Sequence, residues 1–354
     1  MQLIECVPNI SEGRDATIIA QIAQTISEVD GAFVLHKDIG HSVNRTVLTF
    51  AGEPQAVSEA AFRVIAKTNE LIDMRIHKGS HPRIGATDVC PIIPLANITM
   101  AECVDLSKKL AKRVGDELSI PVYLYAESAQ TPERKSLAYI RGGEYEKLFL
   151  RIDELLFKPD FGPVVCNAKS GATAIGARKI LIAYNVYIDT KDLSIAKSIA
   201  QTIRERRQQY QQISLPAKTG IGQGQNEITW QDCQAIGWYI DEYKCCQISL
   251  NLLDYKKTSM HAAYLGVSSL ASKYGIKVTG SELIGLCPLE ALLDAGKFVL
   301  DKETKGQNIA DENKILQAAI QFLKLSQFST FKAAEKVLEY KLAEFGLSLP
   351  TSSI

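Results

Sequence analysis

Apolar and polar positions alternate along this chain in two rhythms, and the switches between them set the predicted elements. Residues 3–8 form a short apolar run stopped by Pro8, which reads as a strand. Ser11-Glu-Gly-Arg then opens a helix, because Ile18, Ile19, Ile22 and Ile26 recur at helical spacing. Strands are predicted near 31–38 and 44–52 with a turn around Gly40 between them. A helix over 53–71, a second over 100–118 and a β-rich segment over 120–125 follow.

The second half repeats the theme. A β-rich run over 179–188 begins a new unit, and a helix over 189–207 carries Ile195, Ile199 and Ile203 on one stripe. Strands near 232–241 and 246–253 precede a helix over 257–274, which Gly275 closes, and a last strand over 276–279. The order β-α-β-β-α-β is the ferredoxin-like arrangement. The predicted class is therefore α/β (α+β): two ferredoxin-like βαββαβ-type subdomains with additional helices and a helical C-terminal segment. Residues 1–179, 180–300 and 301–354 are the expected divisions. Residues 208–226, rich in Gln, Gly and Lys, read as a loop of the second unit, and 288–340 as helical with a break near 326–329.

Composition narrows the classes of partner. Lys+Arg and Asp+Glu balance at 40 each in 354 residues, so no global field favours nucleic acid or an anionic membrane. The longest basic cluster is Arg204-Glu-Arg206-Arg207. No apolar stretch approaches the roughly 20 residues of a membrane span, and the N-terminus lacks a signal-peptide pattern. The eight cysteines are scattered without metal-ligand spacing and read as buried thiols of a reducing compartment. The expectation is a cytoplasmic protein without a metal.

Five histidines concentrate the candidate chemistry: His36, His41, His77, His81 and His261. His81 has the richest setting. Pro82 disfavours helix there, Gly79 and Gly85 permit tight turns, and Arg83 and Asp88 are near enough in sequence to share a pocket. A polar surface loop is the bland alternative. A second segment, Asp38-Ile-Gly-His41-Ser-Val-Asn44-Arg45-Thr46, reads as a hairpin loop, but Arg45 at a strand start suits bidentate grip of a carboxylate. A third, Pro159 to Lys179, is rich in small residues that admit a flat ligand. It precedes a strand instead of following one, which argues against a nicotinamide site; a flexible connector between the units is the plain alternative and is compatible with ligand binding there. A fourth, around Trp238, reads mostly as core, with Gln234 and Asn251 able to face a ligand.

Taken together these segments resemble the formiminotransferase family. The motifs are Glu5-Cys-Val-Pro-Asn9-Ile-Ser11-Glu-Gly-Arg, Asn44-Arg-Thr-Val, Leu71-Ile-Asp-Met and His81-Pro-Arg-Ile-Gly-Ala-Thr-Asp-Val-Cys-Pro. Ile140-Arg-Gly-Gly-Glu-Tyr-Glu, Pro159-Asp-Phe-Gly-Pro, Gly171-Ala-Thr-Ala-Ile-Gly-Ala-Arg-Lys, Ala235-Ile-Gly-Trp-Tyr, Asn251-Leu-Leu-Asp and Pro288-Leu-Glu-Ala-Leu-Leu-Asp continue in family order.

The resemblance implies transfer of a formimino group from N-formimino-L-glutamate to tetrahydrofolate, polyglutamylated or not, in histidine breakdown. It implies a homodimer and a transferase without the fused cyclodeaminase of the animal enzyme. His81 is then the catalytic histidine and Asp38 its partner in proton handling. The folate segment carries over to Gly162, Pro163, Val164, Val165, Cys166, Asn167, Ala168, Lys169, Ser170 and Gly171. It departs from the animal pattern at 167–170, where an aromatic residue is usual. Asn9, Asn44, Arg45 and Arg83 are candidates for binding substrate, the two arginines for gripping the glutamate carboxylates. Two alternatives stay open: a formyltransferase using N-formyl-L-glutamate, and a non-catalytic folate-binding protein.

Overall fold

A computed structural model describes residues 1–209, 213–214, 227–228, 230–304 and 311–350. They fall into two compact units, residues 1–179 with 342–350, and the described residues between 180 and 341.

The first unit begins with β1 (Leu3–Cys6), which Pro8 interrupts before the chain resumes as β2 (Asn9–Ile10). α1 (Ala16–Ser27) starts five residues later than Ser11, because Asp15 caps it by accepting the Thr17 and Ile18 N–H groups. Next come β3 (Ala32–Gly40), β4 (Arg45–Gly52), α2 (Pro54–Leu71) and β5 (Thr87–Ala96). α3 (Met100–Leu118), opened by a Thr99–Glu102 capping box, leads to β6 (Val122–Leu124). The short helices α4 (Leu137–Ile140) and α5 (Glu144–Arg151) precede β7 (Thr173–Ala177).

β1 pairs antiparallel with β4 and β5, and β3 pairs with the far side of β4, which gives the order β3-β4-β1-β5 of a ferredoxin-like βαββαβ sheet. β7 then adds parallel to β5, and β6 parallel to β7. α1, α2 and α3 cover one face, burying Ile4, Cys6, Ile22, Ile26, Leu48, Phe50, Val57 and Ile65. A smaller core of Ile84, Tyr123, Tyr125, Ile140, Leu148 and Phe157 covers part of the opposite face.

Two strands of the first unit differ most from expectation. β5 was not foreseen: nearly every residue is buried, so it shows no alternation, and Pro91 and Pro94 read as strand breakers. The expected flexible connector in the third segment instead contains β7, fully buried between β5 and β6. Its small residues serve close packing. A Cβ on Gly176 would lie 2.2 Å from the Tyr125 carbonyl oxygen.

The second unit repeats the element order. β8 (Ile182–Ile188) and α6 (Leu193–Gln209) are followed by two short strands, β9 (Ile213–Ser214) and β10 (Glu227–Ile228), which pair with each other. Of the loop expected over 208–226, residues 208–209 belong to α6, and all but β9 of the remainder lies outside the described residues. β11 (Cys233–Ile240), β12 (Cys245–Leu252), α7 (Met260–Ser272) and β13 (Val278–Ile284) complete an antiparallel sheet in the order β11-β12-β8-β13. This is the same topology as the first four principal strands. α8 (Leu289–Thr304), α9 (Glu312–Leu323), α10 (Ala333–Lys336) and α11 (Leu338–Ala343) follow. Among the described residues no helix is long and apolar enough to cross a membrane.

Candidate active site

The sheet of the first unit turns polar side chains away from α1–α3. Leu48 and Phe50 of β4 enter the helix-covered core, so Arg45 and Val47 point the other way. Cross-strand pairing aligns Asn9, Val47 and Asp38 in one row on that face, with Arg45 one step along β4. β5 reaches the same face through a bulge. Asn9 pairs with Val89 and Ile10 with Thr87, which leaves Asp88 as the extra residue between them. Bulges commonly re-aim a side chain beside an active site, and this one aims a carboxylate.

Asp88 is fully buried and gathers four donors. Arg45 Nη2 lies 2.8 Å from Oδ2, the Ile84 N–H donates to Oδ1 at 3.0 Å, and Arg141 donates from Nε at 3.3 Å and from Nη2. Arg45 also donates from Nε to Asn9 Oδ1 at 2.9 Å. Burial by itself would raise the Asp88 pKa, but the Arg141 and Arg45 guanidiniums outweigh it and hold the carboxyl well below the usual range. Burial pushes Arg45 down to about 10 against the pull of Asp88. Arg141 belongs to the Ile140-Arg-Gly-Gly motif and is not among the site residues that the sequence predicts. Nothing local in Arg-Gly-Gly announces a contact with Asp88, 53 positions away.

His81 is half-buried beside this cluster. Its Nδ1 lies 2.8 Å from the Pro82 carbonyl oxygen, and because a carbonyl only accepts, Nδ1 carries the hydrogen and Nε2 the lone pair. Burial drives its pKa well below the ordinary histidine value, Arg45 and Arg141 push the same way, and Asp88 offsets them in part. The ring is thus a neutral base at physiological pH.

The other sequence candidates take distinct places. Asp38 sits half-buried on edge strand β3, in the row of Asn9. Asn44 is engaged as a brace: its Oδ1 accepts the Gly13 N–H at 3.0 Å, and its Nδ2 donates to the Lys78 carbonyl at 2.8 Å. Arg83 pairs with Glu144 at 3.0 Å and Glu146 at 2.7 Å. Of the two arginines proposed as carboxylate grips, only Arg45 joins the cluster, and Arg141 stands where Arg83 was expected.

In the 162–171 segment, Gly162 packs against Gly115 and Ile120, and Val164 and Val165 are exposed. Asn167 Oδ1 accepts the Lys169 and Ser170 N–H groups. The Ala168 carbonyl accepts the Tyr145 hydroxyl, and Lys169 donates to the Glu70 carbonyl. Buried Ser170 accepts the Ala86 N–H through its carbonyl at 2.8 Å. Gly171, at φ +69°, bridges to Gly85, where a Cβ would meet the Ile84 carbonyl oxygen at 2.2 Å. The 167–171 end therefore abuts residues 84–86, three to five positions after His81, with Pro163 and Cys166 lying upstream of it.

Fold and cluster define an α+β protein of two like units with an imidazole–carboxylate–guanidinium centre in the first. The chain belongs to the formiminotransferase family: residues 3–178 match the formiminotransferase domain, N-terminal subdomain, and residues 183–343 match the formiminotransferase domain. It is 42% identical to a glutamate formimidoyltransferase of Thermoplasma acidophilum, over 90% of this chain and 97% of that protein. A glutamate formimidoyltransferase of Streptococcus pyogenes serotype M1 is 38% identical over 85% of this chain and 94% of that protein. The formimidoyltransferase-cyclodeaminase of Rattus norvegicus is 41% identical over 98% of this chain, which spans 61% of that relative's length.

Proposed function

We propose that this chain transfers the formimino group of N-formimino-L-glutamate to tetrahydrofolate, releasing L-glutamate. The observation that carries the chemistry is the neutral His81 imidazole, its Nδ1–H committed to Pro82 and two guanidiniums at its side. As tetrahydrofolate N5 attacks the amidine carbon, N5 gives up a proton to Nε2. The tetrahedral carbon then expels the glutamate nitrogen, which takes that proton back. Because Arg45 and Arg141 disfavour the imidazolium, the protonated ring is a good acid, which suits the second transfer. Such proton handling contributes roughly a hundred- to ten-thousand-fold.

Arg45 and Arg141 supply the charge for a substrate carboxylate. They set two cations against the single anion Asp88, and the Nη1 of each takes no part in the bonds to Asp88 or Asn9. Asp38 is assigned a share in proton handling from the same face, and Asn9 orients Arg45. The 162–171 segment is assigned to the folate, with exposed Val164 and Val165 offering apolar contact to its aromatic ring. Polyglutamylated tetrahydrofolate, a homodimer and a cytoplasmic setting complete the proposal. Residues 1–179 and 180–300 are taken as its two subdomains and 301–354 as an appended segment, of which 342–350 group with the first unit.

Parallel assays with N-formimino- and N-formyl-L-glutamate, each with tetrahydrofolate, test the assignment. Faster transfer from the amidine is expected. Preference for the formyl donor, or transfer from neither, overturns it.

A further inference from the structure

The loop that carries His81 is stitched down on both sides, and the stitches converge on a second histidine. His77 is buried, with only 7% of its surface exposed. Its Nε2 lies 3.0 Å from the Asn44 carbonyl oxygen, which only accepts, so Nε2 bears the hydrogen. Nδ1 then holds the lone pair, and Arg83 Nε–H donates to it at 3.3 Å. Only the neutral Nε2–H tautomer satisfies both neighbours, since a proton on Nδ1 would face the Arg83 N–H directly. Burial lowers the His77 pKa and Arg83 adds to the effect; the Asn44 carbonyl and Glu12 oppose it, and Arg14 reinforces it.

Both neighbours of His77 are anchored. Asn44, at φ +51°, sits in the β3–β4 turn and also binds the Lys78 carbonyl. Gly79 presses on the same turn so closely that a Cβ would lie 2.3 Å from the Val43 carbonyl oxygen. On the other side, Arg83 pairs with Glu144 and Glu146 of α5, and its carbonyl accepts the Tyr145 N–H at 2.9 Å. The loop is thus pinned at residues 77, 78, 79 and 83, and His81 lies midway between Gly79 and Arg83. None of these pins draws on Asp88, Arg45 or Arg141.

We propose that His77 is a positioning residue for His81: a neutral imidazole wedged between the Asn44 carbonyl and the Arg83 guanidinium fixes the loop that presents the reacting ring. Arg83, offered by the sequence as a substrate grip, is the strut that links this wedge to α5. The role rests on the transferase reading for its kinetic test alone.

The test compares His77→Ala with His77→Gln in the full chain, by steady-state transfer kinetics and by long-range ¹H–¹⁵N spectra of the imidazoles. Wild-type spectra should show His77 as the Nε2–H and His81 as the Nδ1–H tautomer. In His77→Ala the His81 pattern should shift toward a mixture of tautomers, and kcat should fall about a hundredfold with KM changed less than about threefold. Gln presents an N–H to the Asn44 carbonyl and an oxygen to Arg83, so it should restore most of the lost kcat. A wild-type kcat with unchanged His81 signals in His77→Ala overturns the proposal, and so do equal losses in Ala and Gln.

Should His77→Ala fail to fold, Glu144→Gln with Glu146→Gln loosens the strut at exposed positions. The same split in kcat and KM is expected there in weaker form, and an unchanged kcat counts against the role. If wild-type protein transfers nothing, the transferase reading falls, and the imidazole spectra still decide the role of His77.

Discussion

The two units run through the same βαββαβ order and sheet topology, yet they place opposite chemistry on the sheet face turned away from their helices. In the first unit one carboxylate, Asp88, is held by two guanidiniums with an imidazole alongside. In the second, one carboxylate, Glu282, is held by neutral amides: Asn185 Nδ2 and Gln247 Nε2 each donate to Oε1 at 2.9 Å, and the Trp238 indole N–H donates to Gln247. The amides satisfy the carboxylate without adding a cation, so that network carries only the Glu282 charge. The arginine cluster sets two cations against one anion, which makes the imidazolium unfavourable. The same scaffold therefore carries two different charge patterns, set by a few side chains on one sheet face.

That contrast can be broken most forcefully at His81. His81→Ala should lower transfer by about a hundred- to ten-thousand-fold with its urea unfolding curve near wild type; a variant within tenfold of wild type would remove the first unit's claim to the reaction. Next in size is Asp88→Ala, which leaves Arg45 and Arg141 buried without a counter-charge. Its expected cost is about 3–5 kcal/mol in urea denaturation. Glu282→Ala leaves only neutral donors unmatched, for about 1–3 kcal/mol. Equal costs at the two carboxylates would show that the charge difference between the faces is energetically idle.

Acid should sharpen the same difference. His81 is depressed in the folded state, so below the ordinary histidine value of ~6.5 the unfolded chain binds the proton first, and stability falls as pH drops through that region. Asp88 is depressed too. Its contribution is complete above the ordinary aspartate value of ~3.9 and is lost as pH falls through its folded value. Stability measured against pH should show a smaller upper step in His81→Ala, the remainder coming from depressed His77, and keep both steps in full in Glu282→Gln. The depressed imidazole also predicts an acid limb of kcat/KM below pH ~6.5. The smallest effect is a control on the helix side of the first sheet. Thr99→Ala removes the α3 capping box and should cost about 1 kcal/mol, with kcat unchanged.

Local signals foretold the elements whose reasons are local. α3 begins at its Thr99–Glu102 box, and α1 keeps the Ile19, Ile22 and Ile26 stripe that the spacing announced, although its cap at Asp15 moved its start. β5 and β7 escaped because interior strands show no alternation, and proline or glycine in them resembles a loop. The loop bearing His81 was legible from its polar residues and glycines. Its partners were only half legible, since Arg83 was the nearer arginine in sequence and Arg141 proved the nearer one to Asp88.

By itself, then, the sequence determined the family, the two-unit α+β plan, most helices and the presence of a histidine loop. Each of these follows from contacts within a few residues or from the ordered motifs. Tertiary structure alone decided that a bulge turns Asp88 toward Arg45, that Arg141 completes the cluster, and that His81 and His77 carry opposite tautomers. The charge on a buried group depends on what strand pairing brings within a few ångströms. Residues 53 to 61 positions apart, such as Asp88 with Arg141 and Arg83 with Glu144, become neighbours only when the sheet and its covering helices have formed.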